Sequence, residues 1–386
     1  MALIAAGLAA LVWLIPAAPM TGDGQHYIEF VRNGLQHGAS SWHERRLLGP
    51  LLVRAMPLEA QDGFFVLTVA SLAVTALLTW LAAREVLAGD ESRALAAIPL
   101  LFGTWVVAPN LREFGLIDPL AWAFVAGVWL ATVRKQWWLA AATAAVGVVA
   151  KEVVALAALA AAAAAFDARR LETRPNSPSD SPVGRDRRVS RRSLFERRSA
   201  ELLGLAVGVA APAVVVVAGL TLVFPGSGTD AGAYVLKWLR DGLLSNGPGR
   251  AAFLFFASYG ALWLLAPRAW AALPGHLKRA AVVYGLAAVA LPLVGSPERM
   301  EEAIFPVMVT GAVLATRAWG VATLWALALG GVLFAARVGG DARLPTVLAW
   351  SGLVVACALA VWGSLVSRPA PRLVRAGLPG TTARSR

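Results

Sequence analysis

Residues 137–166 read WWLAAATAAVGVVAKEVVALAALAAAAAAF, and this stretch decides the class of fold. Its 30 residues carry two charges, Lys151 and Glu152, which lie side by side in the middle. One continuous helix of this length would measure about 45 Å, whereas the hydrocarbon core of a bilayer is about 30 Å thick. We therefore expect two helices, 137–150 and 153–166, that form a hairpin with the two charges at its turn.

The rest of the chain is similarly apolar. Of 386 residues, 58% are hydrophobic and 15% are charged, and the mean hydropathy is +0.65. Apolar runs of this number and length exceed the needs of a soluble core, so we expect an all-α polytopic membrane bundle of about 12 (10–13) transmembrane segments. The twelve apolar segments are 3–18, 63–83, 94–109, 118–134, 137–150, 153–166, 201–224, 251–267, 280–294, 303–316, 319–336 and 346–366.

Basic residues predict the orientation and the division of the chain. The polar segment 167–199 and the tail 367–386 are rich in arginine. Because basic residues concentrate on the cytoplasmic side of a membrane, both segments and both chain termini should face the cytoplasm. The expected location is the inner membrane of a bacterium. We expect a front membrane half at 1–166, a disordered linker at 167–199, a back membrane half at 200–366 and a basic tail. The net charge of +12 then reflects topology and contact with anionic membrane lipids, and no nucleic-acid partner is expected.

The outer face collects polar residues, mainly in the loop 19–62. Residues 26–36 have helical periodicity, which predicts a juxtamembrane helix, and a second such helix is expected at 231–244. Residues that could bind a metal are also concentrated in the loop: Asp23, His26, His37, His43 and Glu44. Their spacing matches no metal-binding signature, so no metal or other cofactor is expected.

Several short sequences, taken in their order along the chain, resemble the GT-C superfamily of integral-membrane glycosyltransferases, which use polyprenyl-phosphate sugars. The matching pieces are Gly22-Asp23-Gly24-Gln25-His26-Tyr27, Arg45-Arg46-Leu47-Leu48-Gly49-Pro50, Asp118-Pro119 and Lys151-Glu152. The resemblance covers residues 1–166 and is only general in the back half, where Arg299 precedes a helix that contains Pro306. The chain lacks the second acidic residue that usually lies close to the first-loop aspartate.

This resemblance implies an inverting transfer of a sugar, on the extracytoplasmic side, from a polyprenyl-phosphate donor to a glycan, lipid or protein acceptor. Asp23 would be the catalytic general base, which deprotonates the acceptor hydroxyl. Cations would hold the donor phosphate, and other polar side chains would contact the substrates. The substrate-binding candidates are His26, Tyr27, Glu44, Arg45, Arg46, Glu113, Asp118, Lys151, Glu152 and Arg299.

Most of these candidates also have a structural interpretation. Asp23 is a favoured N-cap residue, and Asp118 before a proline is a common helix start. Lys151 and Glu152 can form an ion pair at a helix turn, and Arg299 can pair with neighbouring glutamates. A multi-pass transporter or flippase, or a non-catalytic membrane assembly factor, competes with the enzyme. A polar cavity that encloses Asp23 would favour the enzyme, and a central cavity between two halves would favour the transporter.

Overall fold

The computed structural model describes residues 1–19, 22–34, 45–172, 187–223, 247–290 and 302–366, and these residues form helices and no strand. The helices in chain order are α1 (Ala2–Leu14), α2 (Asp23–Asn33), α3 (Leu48–Arg54), α4 (Ala60–Val86), α5 (Glu91–Ala94), α6 (Ala97–Phe102), α7 (Ala108–Arg112), α8 (Asp118–Val133), α9 (Trp137–Gly147), α10 (Val154–Glu172), α11 (Arg187–Val223), α12 (Gly247–Tyr259), α13 (Leu262–Ala272), α14 (Gly275–Ala290), α15 (Phe305–Ala315), α16 (Val321–Val338) and α17 (Thr346–Val366). A single 3₁₀ turn, Glu302–Ile304, precedes α15.

Among the described residues, four helices are long and apolar enough to cross a membrane. They are α4, the Ala200–Val223 part of α11, α16 and α17. A fifth span results if α12 and α13 are counted as one broken helix, since Ala252–Tyr259 and Leu262–Ala272 meet at 64°. The chain is therefore a membrane protein whose described residues form helices, and the expected count of about 12 crossings is not confirmed.

Several segments that were expected to cross the membrane form short helices whose apolar side chains are covered by other helices. Segment 94–109 shows this most clearly: it contains α6, the end of α5 and the start of α7, and Ala94, Leu101 and Ala108 are completely buried. A helix that is apolar on all sides can be buried in protein as well as in lipid. Hydropathy alone therefore does not fix the number of spans.

The helix breaks within 137–166. α9 ends at Gly147 and α10 begins at Val154, and the two helices pack against each other. Gly147 allows this contact, because a Cβ atom there would lie 2.8 Å from Val154 Cγ1 and 2.7 Å from Phe124 Cβ. The close packing of α9 and α10 thus holds in place the connection that carries Lys151.

Helices extend into both ends of the segment 167–199 that was expected to be disordered. α10 continues to Glu172, and α11 begins at Arg187. The two membrane halves are packed together, with α10 against α11 and α14 and with α4 against α15. The middle of the linker (173–186), the helix expected at 231–244 and the tail 367–386 lie outside the described residues.

The helix expected at 26–36 is present as α2. Its Tyr27 is buried against Val53 and Phe64, so the helix is packed onto α3 and α4. Gly24 makes the approach close, because a Cβ atom there would lie 3.5 Å from Gly115 Cα. This packing brings the first turn of α2 to the loop that precedes α8.

Candidate functional site

Polar side chains from four parts of the chain meet where α2, the segment before α3, the start of α8 and the α9–α10 connection come together. A backbone hydrogen bond of 3.2 Å from Leu48 N to Val149 O holds two of these parts in place. We call the group the outer cluster, after the side of the membrane on which the sequence predicts it. Its members are Tyr27, Arg46, Asp118, Lys151 and Glu152.

Arg46 connects two members of the outer cluster. Its Nε donates to Glu152 Oε2 at 3.1 Å, and its Nη2 donates to Glu152 Oε1 at 2.5 Å. Its Nη1 donates to the Tyr27 hydroxyl oxygen at 3.3 Å. The Arg46 side chain is 13% exposed and that of Glu152 is 42% exposed, so the ion pair opens to solvent on the glutamate side.

Burial and the ion pair have opposite effects on the pKa of Arg46. Burial has the largest single effect and lowers the pKa of the Arg46 guanidinium, but Glu152 and Tyr27 together outweigh it and raise that pKa well above its ordinary value. Burial raises the pKa of the Tyr27 hydroxyl to about 12, although the Arg46 charge acts in the other direction. Tyr27 therefore remains protonated near neutral pH and does not act as a base.

Lys151 and Asp118 form the deepest ion pair of the outer cluster. Lys151 Nζ donates to Asp118 Oδ1, and the two side chains are 4% and 2% exposed. The same Nζ lies 5.9 Å from the centroid of the Trp122 ring. The adjacent residues Lys151 and Glu152 thus have different ion-pair partners, and each partner belongs to a different part of the chain.

Asp23 lies on the same face of α2 as Tyr27, because the two residues are four positions apart. Its carboxylate is close enough to raise the pKa of the Tyr27 hydroxyl further, as does that of Asp118. The N-cap of α2 is Gly22, and Asp23 is the first helical residue. Arg45 is partly buried beside Arg46.

The other candidates lie apart from these contacts or cannot be placed. His26 is exposed, with its Nδ1 3.9 Å from Glu29 Oε2. Glu113 is exposed at the end of α7, and within the described part of the chain its side chain makes no ion pair. No group of three or more His, Cys, Asp or Glu side chains in the described ranges could hold a metal. The residues that lie outside those ranges are Glu44, Arg299, His37 and His43.

A second buried polar group adjoins the outer cluster, and the sequence did not predict it. Glu302 is 2% exposed, and its Oε2 accepts hydrogen bonds from Trp122 Nε1 at 2.7 Å and from Asn110 Nδ2 at 3.1 Å. The Tyr259 hydroxyl donates to the Glu302 main-chain oxygen at 3.1 Å. Trp122 follows Asp118 by one turn of α8, so the two groups lie on successive turns of one helix.

The only sequence signal for this group was the location of its residues along the chain. Glu302 is the last acidic residue before the apolar segment 303–316, and Asn110 begins the polar stretch 110–118. Polar residues in such positions are ordinarily solvated loop residues. Their burial depends on contacts between the two halves of the chain, which no local pattern shows.

A break in the fifth span positions Tyr259. Gly260 has φ +49°, which favours glycine, and it separates α12 from α13. The Ser258 main-chain oxygen accepts a hydrogen bond from Trp105 N at 3.1 Å. An interrupted helix in a membrane needs such partners for its freed backbone groups. The break therefore lets Tyr259 reach the Glu302 backbone.

Replacing Trp122 with phenylalanine should lower the free energy of unfolding by about 1.5–3 kcal/mol, because it removes a hydrogen bond to a carboxylate. The matched control is Trp129→Phe on the same helix, which removes a 3.0 Å hydrogen bond to the neutral Thr310 hydroxyl and should cost about 0.5–1.5 kcal/mol. Thermal unfolding in detergent measures both. Equal losses would show that the Glu302 contact is not charge-assisted.

A separate groove of about 450 Å³ lies between α4, α8 and α9. Its walls are mainly apolar, with Leu78, Phe124 and Leu139 among them. All three helices belong to the front half, and Asp23 is not part of the wall. The groove is therefore neither a polar cavity around Asp23 nor a cavity between two halves.

Comparison with solved structures gives a distant similarity. The chain is similar to the oligosaccharyltransferase of Archaeoglobus fulgidus, whose crystal structure contains a disulfide-tethered acceptor peptide with the NVT sequon, with a TM-score of 0.44 and 13% identity. The similarity covers 94% of this chain and 55% of that one, so the chain spans about half the length of the protein that it matches. No protein-family profile and no curated protein match the chain.

Proposed function

We propose that the chain is a membrane glycosyltransferase that transfers a sugar from a polyprenyl-phosphate donor to an acceptor hydroxyl on the extracytoplasmic side. The observation that carries the proposal is the convergence of Tyr27, Arg46, Asp118, Lys151 and Glu152 at one end of a helical bundle, beside Asp23. Four of these residues are charged, and they come from three parts of the chain that are far apart in sequence. The resemblance to GT-C enzymes rests on the same residues.

Asp23 acts as the base in this reaction. Its carboxylate takes the proton of the acceptor hydroxyl, and the acceptor oxygen forms a bond to the anomeric carbon of the donor. The bond from that carbon to the phosphate oxygen breaks, the configuration is inverted, and polyprenyl phosphate leaves with the bond electrons. A base and a nucleophile that the protein holds within hydrogen-bond reach favour this step.

Arg46 binds the donor phosphate. Its forked guanidinium holds the Glu152 carboxylate through two nitrogens, and phosphate oxygens fit the same fork. Glu152 is half-exposed, so its side chain can turn into solvent when the phosphate takes its place. The Lys151 charge is already matched by buried Asp118, and it contributes to the field at the site from a fixed position.

Arg46→Ala tests this assignment in an assay that follows transfer from polyprenyl-phosphate sugars to acceptors in proteoliposomes. Loss of charge-assisted hydrogen bonds worth about 1.5–3 kcal/mol should lower kcat/KM for the donor roughly 10- to 100-fold. Arg54→Ala, at an exposed arginine of α3, is the control and should retain full activity. No transfer from any donor by the wild-type protein, or equal kcat/KM for Arg46→Ala and wild type, would contradict the proposal.

A further inference from the structure

Lys151 has a fixed backbone and a flexible side chain. Its main-chain N–H donates to Gly147 O, and its main-chain oxygen accepts a hydrogen bond from Val154 N, both at 3.1 Å. The ammonium group lies at the end of a flexible four-carbon stem. The ion pair with Asp118 holds this group at one point, which leaves several conformations of the stem open. The place of the charge therefore depends on a further contact.

Trp122 supplies that contact. Lys151 Nζ lies over the face of the Trp122 ring, 5.9 Å from the ring centroid, which is within the range of about 6 Å for cation–π interactions. Trp122 is completely buried, and only 4% of the Lys151 side chain is exposed. A cation–π contact is stronger when it is removed from water in this way. The ammonium group is thus held by both the Asp118 carboxylate and the face of an indole ring.

Glu302 sets the direction of that ring. Trp122 Nε1 lies in the ring plane and donates to Glu302 Oε2 at 2.7 Å. A tryptophan side chain has only two rotatable bonds, so a strong hydrogen bond at its edge restricts both of them. The direction of the ring face, and with it the contact to Lys151, follows from the position of the Glu302 carboxylate.

The Glu302 carboxylate is itself held by both halves of the chain. Its Oε2 also accepts from Asn110 Nδ2 at 3.1 Å, and the same Nδ2 donates to Val106 O at 3.0 Å. In the back half, the Tyr259 hydroxyl donates to the Glu302 main-chain oxygen at 3.1 Å. Glu302 is 2% exposed, so water does not compete for these contacts. A residue of the back half therefore fixes an aromatic ring that belongs to the front half.

We propose that Glu302 is a positioning residue for sugar transfer, which acts through Trp122 and holds the Lys151 ammonium group beside Asp118. This inference rests on the proposed function. In that reaction negative charge develops on the phosphate oxygen that leaves with the polyprenyl chain. A cation in a fixed position stabilises this charge more in the transition state than in the bound donor. Loss of the position should therefore lower kcat and leave the KM for the donor nearly unchanged.

Two substitutions of Glu302 separate position from charge in the transfer assay. Glu302→Leu removes the acceptor of the Trp122 N–H and should lower kcat about 5- to 30-fold, as expected for the loss of a desolvated cation–π contact. Glu302→Gln keeps an oxygen that can accept from Trp122 and should have a kcat close to that of the wild type. Trp129→Phe, on the same helix, is the control and should also keep its kcat.

If Glu302→Leu does not fold, Trp122→Phe takes its place in the kinetic comparison. The phenylalanine keeps an aromatic ring near Lys151 but has no N–H for Glu302. It should lower kcat over the same range as Glu302→Leu, with the KM for the donor again nearly unchanged.

A spectroscopic measurement follows the position of Lys151 without any substrate. The chain has four lysines, at positions 135, 151, 237 and 278, so a ¹³C label at the lysine ε-carbon gives four signals in detergent. The ring current of Trp122 should shift the Lys151 signal upfield. This shift should persist in Glu302→Gln and decrease in Glu302→Leu. Lys278 is the internal control, because its Nζ lies 5.9 Å from the centroid of the exposed Trp270 ring, and its signal should not move.

Three results would count against these proposals, and they can be told apart. The same Lys151 signal or the same kcat in wild type and Glu302→Leu would overturn the positioning role and leave the proposed function standing. Equal losses of kcat in Glu302→Gln and Glu302→Leu, with the Lys151 signal unmoved in Glu302→Gln, would also overturn it, because the charge of Glu302 would then act on the reaction directly. No sugar transfer by the wild type would remove the proposed function, and this role with it.

Discussion

Replacing Lys151 with methionine should lower the free energy of unfolding by about 3–5 kcal/mol, the largest effect on stability that we expect. Methionine keeps the length of the side chain but leaves the Asp118 carboxylate buried and without the ammonium group that it binds. Because the two side chains are 4% and 2% exposed, water cannot take the place of the lost partner. Thermal unfolding of the purified variant in detergent measures the loss.

The second substitution Asp118→Asn should restore most of that stability, because it removes the buried negative charge. Lys135→Met, at an exposed lysine, is the control and should change the free energy of unfolding by about 0.5 kcal/mol or less. If Lys151→Met is as stable as the wild type, or if the double variant is no more stable than the single one, the ion pair does not hold this part of the bundle together.

Asp23→Asn should leave the protein folded in the membrane and lower the rate of sugar transfer by about 10²- to 10⁴-fold. An asparagine amide has nearly the shape of the carboxylate but cannot take the proton of the acceptor hydroxyl. The expected loss is in kcat, with the KM for the donor close to that of the wild type, because Asp23 acts on the acceptor.

The control for Asp23→Asn is Asp62→Asn, which removes an exposed acidic residue from the first turn of α4. Its transfer rate should equal that of the wild type. Unchanged transfer by Asp23→Asn would remove the proposed base. The two substitutions should also differ in the kinetic constants that they change. Asp23→Asn should lower kcat with an unchanged KM for the donor, whereas Arg46→Ala should lower kcat/KM for the donor.

Local signals in the sequence predicted the features that local geometry controls. Two charges in an apolar run indicated a break, and the chain does break between Gly147 and Val154. The periodicity after Asp23 indicated a short helix, which is α2. Each of these depends on residues within a few positions of one another.

Contacts between distant residues could not be read from the sequence in this way. Arg46 pairs with Glu152 across 106 positions, and Lys151 pairs with Asp118 across 33. The sequence offered several acids for each cation, and only the packing of the helices selects among them. The number of crossings is likewise not confirmed, because hydropathy does not distinguish a side chain covered by lipid from one covered by protein.

Glu302 has a consequence for how the chain is made. The carboxylate lies 180 to 192 residues after the two side chains that donate to it, Trp122 and Asn110. At a translation rate of about 5–20 residues per second, the ribosome needs about 10 to 40 s to supply it. During that interval the first helices must wait in the bilayer or its insertion machinery with two donors that still lack their final acceptor. A chain truncated before Glu302 would therefore keep both donors without this acceptor.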